Sequence, residues 1–156
     1  MAGKSELQDL YRSVIRNTLG VDALLDEEGD VTFEVPLQGT FYVMLDAQND
    51  PEYFMLVFPN FYKVDKGNYD TVLSAVNTVN NTNKAVKLSF RDKEWSGNLK
   101  ASAEMFIAAP NEIPDAALLG HVLRRTLGAI ISGVKSFSQA VSVEHPDAVT
   151  MPPAKW

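Results

Sequence analysis

Residues 69–106 read YDTVLSAVNTVNNTNKAVKLSFRDKEWSGNLKASAEMF, and the change of period inside this stretch decides the fold. Tyr69, Val72, Leu73, Val76 and Val79 recur at steps of three and four, the repeat of a helix with one buried face. Asn80, Asn81 and Asn83 then end that helix, since asparagine tolerates the left-handed backbone and bonds to its own main chain. From Val86 the period is two. Val86, Leu88 and Phe90 alternate with Lys87, Ser89 and Arg91, which predicts a strand with one dry face. Asp92, Lys93 and Glu94 fit a hairpin turn, and a longer strand is expected over residues 95–108. Such a stretch identifies a fold and not a reaction.

Upstream, Ser5 with Gln8 matches a capping box, and Leu7, Leu10, Tyr11, Val14, Ile15 and Leu19 form one stripe before Gly20. Asp22, Asp26, Glu27, Glu28 and Asp30 then crowd residues 21–30. A calcium loop needs oxygen ligands at alternate positions and a closing glutamate, which this segment does not supply, so it reads as a solvated connection. Val31, Phe33 and Val35 alternate with polar residues up to Pro36, and a turn is expected at Gln38 and Gly39. Residues 41–46 and 53–58 make two further strands around a turn at Asn49, Asp50 and Pro51. Pro59 then opens a longer crossing to the central helix.

Downstream, Asp115 is placed to cap a helix whose stripe is Leu119, Val122, Leu123, Leu127, Ile130, Ile131, Val134, Phe137 and Val141. Gly120, Gly128 and Gly133 each weaken a helix interior by about 1 kcal/mol relative to alanine, so one of them is expected to mark a break or a close contact. The expected architecture is α+β: helix, three strands, helix, two strands, helix. It makes a two-layer α/β sandwich with a five-stranded antiparallel sheet, in a single domain over residues 1–142. Residues 143–156 form a proline-rich, irregular tail with Trp156 available for docking.

The 156 residues are 46% hydrophobic and 22% charged, the composition of a globular chain with one core. Fourteen basic against 20 acidic residues leave a formal charge of -6. That balance argues against non-specific nucleic-acid binding, which needs a positive stripe to displace counterions from phosphates. The absence of cysteine excludes disulfides, thiolate zinc sites and thiol catalysis. The opening MAGKSELQDLYRSV lacks the apolar run of a secretory signal, and the apolar pattern of residues 118–141 is broken by His121, Arg124, Arg125 and Lys135. A cytoplasmic protein that does not span a membrane is expected.

The sequence holds no reactive constellation. Neither a nucleophile elbow nor a phosphate loop is present. His121 and His145 lack the partner spacing of a metal site, and Asn80-Asn81-Thr82 is a glycosylation sequon only in form. No catalytic, metal or cofactor residue is assigned. One surface stands out: if Phe41, Val43, Leu45, Phe54, Leu56 and Phe58 line the face beneath the helices, then Tyr42, Met44, Tyr53, Met55 and Val57 occupy the opposite face. Tyrosine and methionine offer large, adaptable contact area and suit a protein partner. The plainer alternative is that the tail or a loop covers them. A different reading, a small-molecule sensor or an enzyme with a pocket between the last helix and the sheet, would use Asn77, Asn80 and Arg91. Against it, helical asparagines commonly bond to nearby backbone.

The element order in a small acidic chain resembles the fold of class I type III secretion chaperones and, more closely, the YbjN family of proposed bacterial sensory transduction regulators. The resemblance rests on the FYVMLD strand, the helix with Val76-Asn77 and its NNTN end, the KLSF strand and the long helix after Pro114. These are packing patterns, covering residues 5–141. The resemblance implies helices on one face of an antiparallel sheet, no cofactor, and a non-enzymatic protein-binding or regulatory role. The chaperone likeness also implies a homodimer.

Overall fold

The acidic segment at residues 21–30 is more than a connection, because it carries a strand. Ala23–Leu25 (β1) pairs antiparallel with Val31–Val35 (β2), placing Ala23 opposite Phe33 and Leu25 opposite Val31. The sheet therefore has six strands where five were expected. Three residues, Ala-Leu-Leu, are too few to display a period, which hides the strand from a pattern reading. The acids build the turn: Asp26 Oδ1 accepts the N–H groups of Glu28 and Asp30, both at 2.9 Å. Gly29 supplies the left-handed backbone at φ 85°, which a glycine adopts without a Cβ clash.

The computed structural model describes residues 3–91 and 97–144. Beyond β1 and β2 these hold helix α1 (Lys4–Leu19), strands β3 (Gly39–Met44) and β4 (Tyr53–Lys63), helix α2 (Tyr69–Thr82), strands β5 (Lys87–Phe90) and β6 (Asn98–Phe106), and helix α3 (Ala116–Glu144). The strands form one antiparallel sheet in the order β1-β2-β3-β4-β6-β5. Two compact units share these elements: residues 3–57 with 103–127, and residues 58–91, 97–102 and 128–144. The anticipated turn at Asp92, Lys93 and Glu94, the strand start at Trp95, and His145 and Trp156 of the tail lie outside the described residues.

In the first unit, the register stacks Val31 opposite Val43 and Phe33 opposite Phe41, while Val43 faces Leu56. All of them are buried on one sheet face, with Phe54. Leu7, Tyr11, Val14 and Ile15 of α1 close that face, and the Tyr11 ring lies 6.4 Å from that of Phe54. Gly120 of α3 comes so near α1 that an added Cβ would sit 3.1 Å from Thr18 Oγ1. Two buried carboxylates hold the strand ends: Asp30 Oδ1 accepts the Leu45 N–H at 2.9 Å, and Glu52 Oε2 accepts that of Asn111 at 3.1 Å. Buried acids survive only when paired in this way.

In the second unit, Phe137 of α3 meets Phe61 and Tyr62 edge-on, at 5.5 and 5.0 Å. Gly133 is the anticipated close contact, since a Cβ there would fall 2.7 Å from Val86 Cγ1. Gly128 has open space around it.

Several local expectations change. Helix α1 starts at Lys4 after Gly3 with no side-chain cap, so Ser5 and Gln8 form no capping box. Gln8 instead donates through Nε2 to the Gly29 carbonyl at 2.8 Å. Pro59 does not end β4, which runs to Lys63, and Asn60 takes a φ of 53° there. A single left-handed residue re-aims a strand in the manner of a bulge. At the end of α2, Asn80 and Asn81 stay helical and Asn83 is extended, while the left-handed residue is Ala85 at φ 63°. Leu73 is exposed and Ala75 takes its place in the buried stripe. Asp115 caps α3 as expected, accepting the Leu118 N–H at 2.9 Å.

Candidate functional site

The strand register brings the five predicted contact residues onto one face. Tyr42 lies opposite Val57 and Met44 opposite Met55, and Tyr53 follows on the same side by the alternation of β4. Directly opposed side chains on one face sit about 5 Å apart, so Tyr42, Val57, Met44 and Met55 form a continuous block. Val57 is fully buried and the other four are half-buried. The core-facing set of the same strands, Phe41, Val43, Phe54 and Leu56, lies on the reverse face with no exposed surface.

Two members of this face escape a sequence reading. The Phe106 ring packs at 5.5 Å from that of Tyr53, and Phe106 is 69% exposed. Glu104 accepts a hydrogen bond from the Tyr53 hydroxyl. Both belong to β6, where Leu99, Ala101 and Ala103 are buried and Glu104 and Phe106 alternate with them. That alternation is the available signal. It is weak, because alanine and serine fill the middle of the strand.

Tyr53 is held in its neutral form. Burial, the bond to Glu104 and the negative charges of Glu104 and Asp50 push its hydroxyl up to about 12. Its hydroxyl therefore keeps its proton and holds it in the hydrogen bond to Glu104 throughout the physiological range. The loop behind it is rigidly tied: Asp46 Oδ1 accepts from Asn49 N at 3.3 Å, and Tyr53 N–H bonds to the Asp50 carbonyl at 3.0 Å. The arrangement sets aromatic rings and flexible thioethers side by side on one sheet face with one polar group, the Tyr53 hydroxyl, tied to Glu104.

The three polar residues of the pocket reading each bond to a different partner. Asn80 bonds to the main chain of Leu88, Nδ2 donating to its carbonyl at 3.0 Å and Oδ1 accepting its N–H at 2.8 Å. Arg91 donates to Asn60 Oδ1 at 3.0 Å, and Asn77 Oδ1 accepts from Asn81 at 3.3 Å. Two surface grooves elsewhere, of about 320 and about 420 Å3, are lined by His121 and Arg124 and by Arg12 and Arg16 respectively. His121 is exposed on α3. Arg12 Nε reaches the Ala23 carbonyl at 3.0 Å, and Arg16 lies 3.7 Å from Asp22. Among the described residues no helix is long and apolar enough to cross a membrane.

No family model matches the chain, and no curated protein matches it. Its fold is similar to that of YbjN. That protein, described as a proposed transcription regulator from E. coli, superposes with a TM-score of 0.60 over 98% of this chain and 97% of its own. The sequences are 11% identical, so what they share is the architecture. Packing patterns, and not site residues, carry the YbjN likeness read from the sequence.

Proposed function

We propose that this chain is a non-enzymatic binding module, a regulatory or chaperone-like partner of another protein, and that it also pairs with a second copy of itself. The observation that carries this reading is the sheet face on which the half-buried Tyr42, Met44, Tyr53 and Met55 lie, extended by the exposed Phe106; Val57 shares the face but is buried, so it supports its neighbours and offers no contact area of its own. Solvated sheet faces are ordinarily polar, whereas tyrosine, methionine and phenylalanine are enriched where proteins meet. The architecture shared with YbjN is in keeping with a regulatory role, and the secretion-chaperone arrangement is a further parallel. A chain carrying -6 regulates more readily through protein contact than through phosphate contact.

Met44→Asp and Met55→Asp test the reading. Each sets an unpaired charge in a patch that association would desolvate, so affinity should fall on the order of 100-fold. The fold should survive, because both side chains lie on the face opposite the core. Sedimentation at micromolar concentration is expected to show a dimer for the wild type and monomers for both variants. Dimers in all three, with native circular dichroism, would refute the use of this face.

A further inference from the structure

The two grooves beside α1, both within the first unit, differ in charge. The groove of about 420 Å3 sets Arg12 and Arg16 beside Asp9 and Asp22, so cations and anions there balance. The groove of about 320 Å3 lies between the end of α1 and the first turns of α3, and the only ionisable side chains on its walls are those of His121 and Arg124. In a chain with 20 acidic residues against 14 basic, walls that carry a cation and no acid favour an anion. Arg124 is oriented there without being neutralised. Its Nη2 donates to the Thr18 carbonyl at 3.0 Å, and no carboxylate of the described residues lies within ion-pair distance of it. A guanidinium has five N–H donors, and a glutamine amide would suffice for that one bond. His121 precedes Arg124 by three positions, which places the two on one helix face. Its ring offers an N–H in either protonation state. Ala116 and Ala117 add methyl groups to the same walls.

We propose that this groove binds a small monocarboxylate with a short carbon chain, the carboxylate held by Arg124 and His121 and the chain lying against Ala116 and Ala117. A carboxylate matches the planar fork of a guanidinium through two parallel bonds, and one fixed positive charge matches one negative charge. A phosphate group carries nearly two charges and three acceptor oxygens, more than these two side chains serve. Gly120 shares the lining, and a Cβ there would stand 3.1 Å from Thr18 Oγ1. A larger residue at this position would therefore take up part of the groove. The site uses none of the residues of the sheet face, so either reading can fail without the other.

Amide NMR of the full chain, titrated at constant ionic strength, tests this with three probes. Sodium butyrate should shift the Gly120 and His121 amide signals along a saturating curve in the millimolar range, as befits so small a ligand. Butanamide, of the same shape without the charge, should leave them in place. Inorganic phosphate should bind about tenfold more weakly than butyrate. Arg124→Gln keeps a donor for the Thr18 carbonyl but loses the charge, and should weaken butyrate binding about tenfold or more. Arg125→Gln alters an exposed arginine outside the groove lining and should bind as the wild type does. A titration without saturation would overturn the proposal, and so would equal shifts with butanamide. Equal weakening by the two arginine variants would mark a general effect of charge and overturn it as well. Phosphate binding as tight as that of butyrate, or tighter, would contradict the assignment to a carboxylate.

Discussion

Phe54→Ala is expected to lower the unfolding free energy by about 4 kcal/mol, while Phe106→Ala leaves it within about 0.5 kcal/mol. The contrast follows from the two faces of one sheet. Phe54 has no exposed surface and stacks on Tyr11 across the interface with α1. Truncating it removes a buried ring and leaves a void bounded by neighbours fixed in strands, which cannot collapse to fill it. Phe106 is mostly exposed and touches Tyr53 on the reverse face, so its loss returns little apolar surface to water. In urea denaturation the first variant should show a strongly lowered midpoint at unchanged slope, and the second a wild-type midpoint. Association should move the opposite way, weakened by Phe106→Ala. A large stability loss in Phe106→Ala would show that this face is core.

The second large effect lies at high pH. The Tyr11 hydroxyl is buried and has no hydrogen-bond partner among the described residues, and burial raises its ionisation well above the tyrosine norm of 10. The sign follows from proton binding. Above pH 10 the unfolded chain releases the Tyr11 proton while the folded chain retains it, so the native state holds one more proton. The contribution of this group is complete below pH 10 and is lost as pH rises toward the folded value. The loss is about 1.4 kcal/mol for each unit of pH. Tyr53 acts in the same direction, but its exposure to solvent makes its part small, and it is common to both proteins compared. Tyr11→Phe should therefore unfold at a higher pH than the wild type. At neutral pH it should be more stable by about 1 kcal/mol, because an unsatisfied buried hydroxyl is removed. Equal alkaline midpoints for the two proteins would contradict this account.

Long periodic segments are legible in the order of the residues alone. The stripe of α3, the cap at Asp115 and the core set Phe41, Val43, Phe54 and Leu56 all follow from spacing, because burial on one face imposes a period. Which residues share the opposite face of β3 and β4 is legible for the same reason, as the complement of the core face. Strand β1 is not, since its three residues carry no period and are defined by pairing with β2. The Asn80 cluster reads as a helix stop by intrinsic preference. Tertiary context prevails instead: Asn80 remains helical because its amide has a partner in β5, and Ala85 takes the left-handed turn. Gln8 likewise forgoes a local cap for a bond to Gly29, 21 residues away. Long-range hydrogen bonds of this kind leave no periodic mark.

The contact face is tested most directly by methyl NMR of methionine-labelled wild-type protein across a dilution series. Met44 and Met55 lie on the proposed face. Met105, adjacent to Phe106 in β6, points to the other side of the sheet by alternation and serves as the internal reference. The Met44 and Met55 methyl signals are expected to shift together on dilution, as the proposed dimer dissociates, while Met105 holds its position. Invariant Met44 and Met55 signals over a range in which sedimentation shows the association state changing would contradict it.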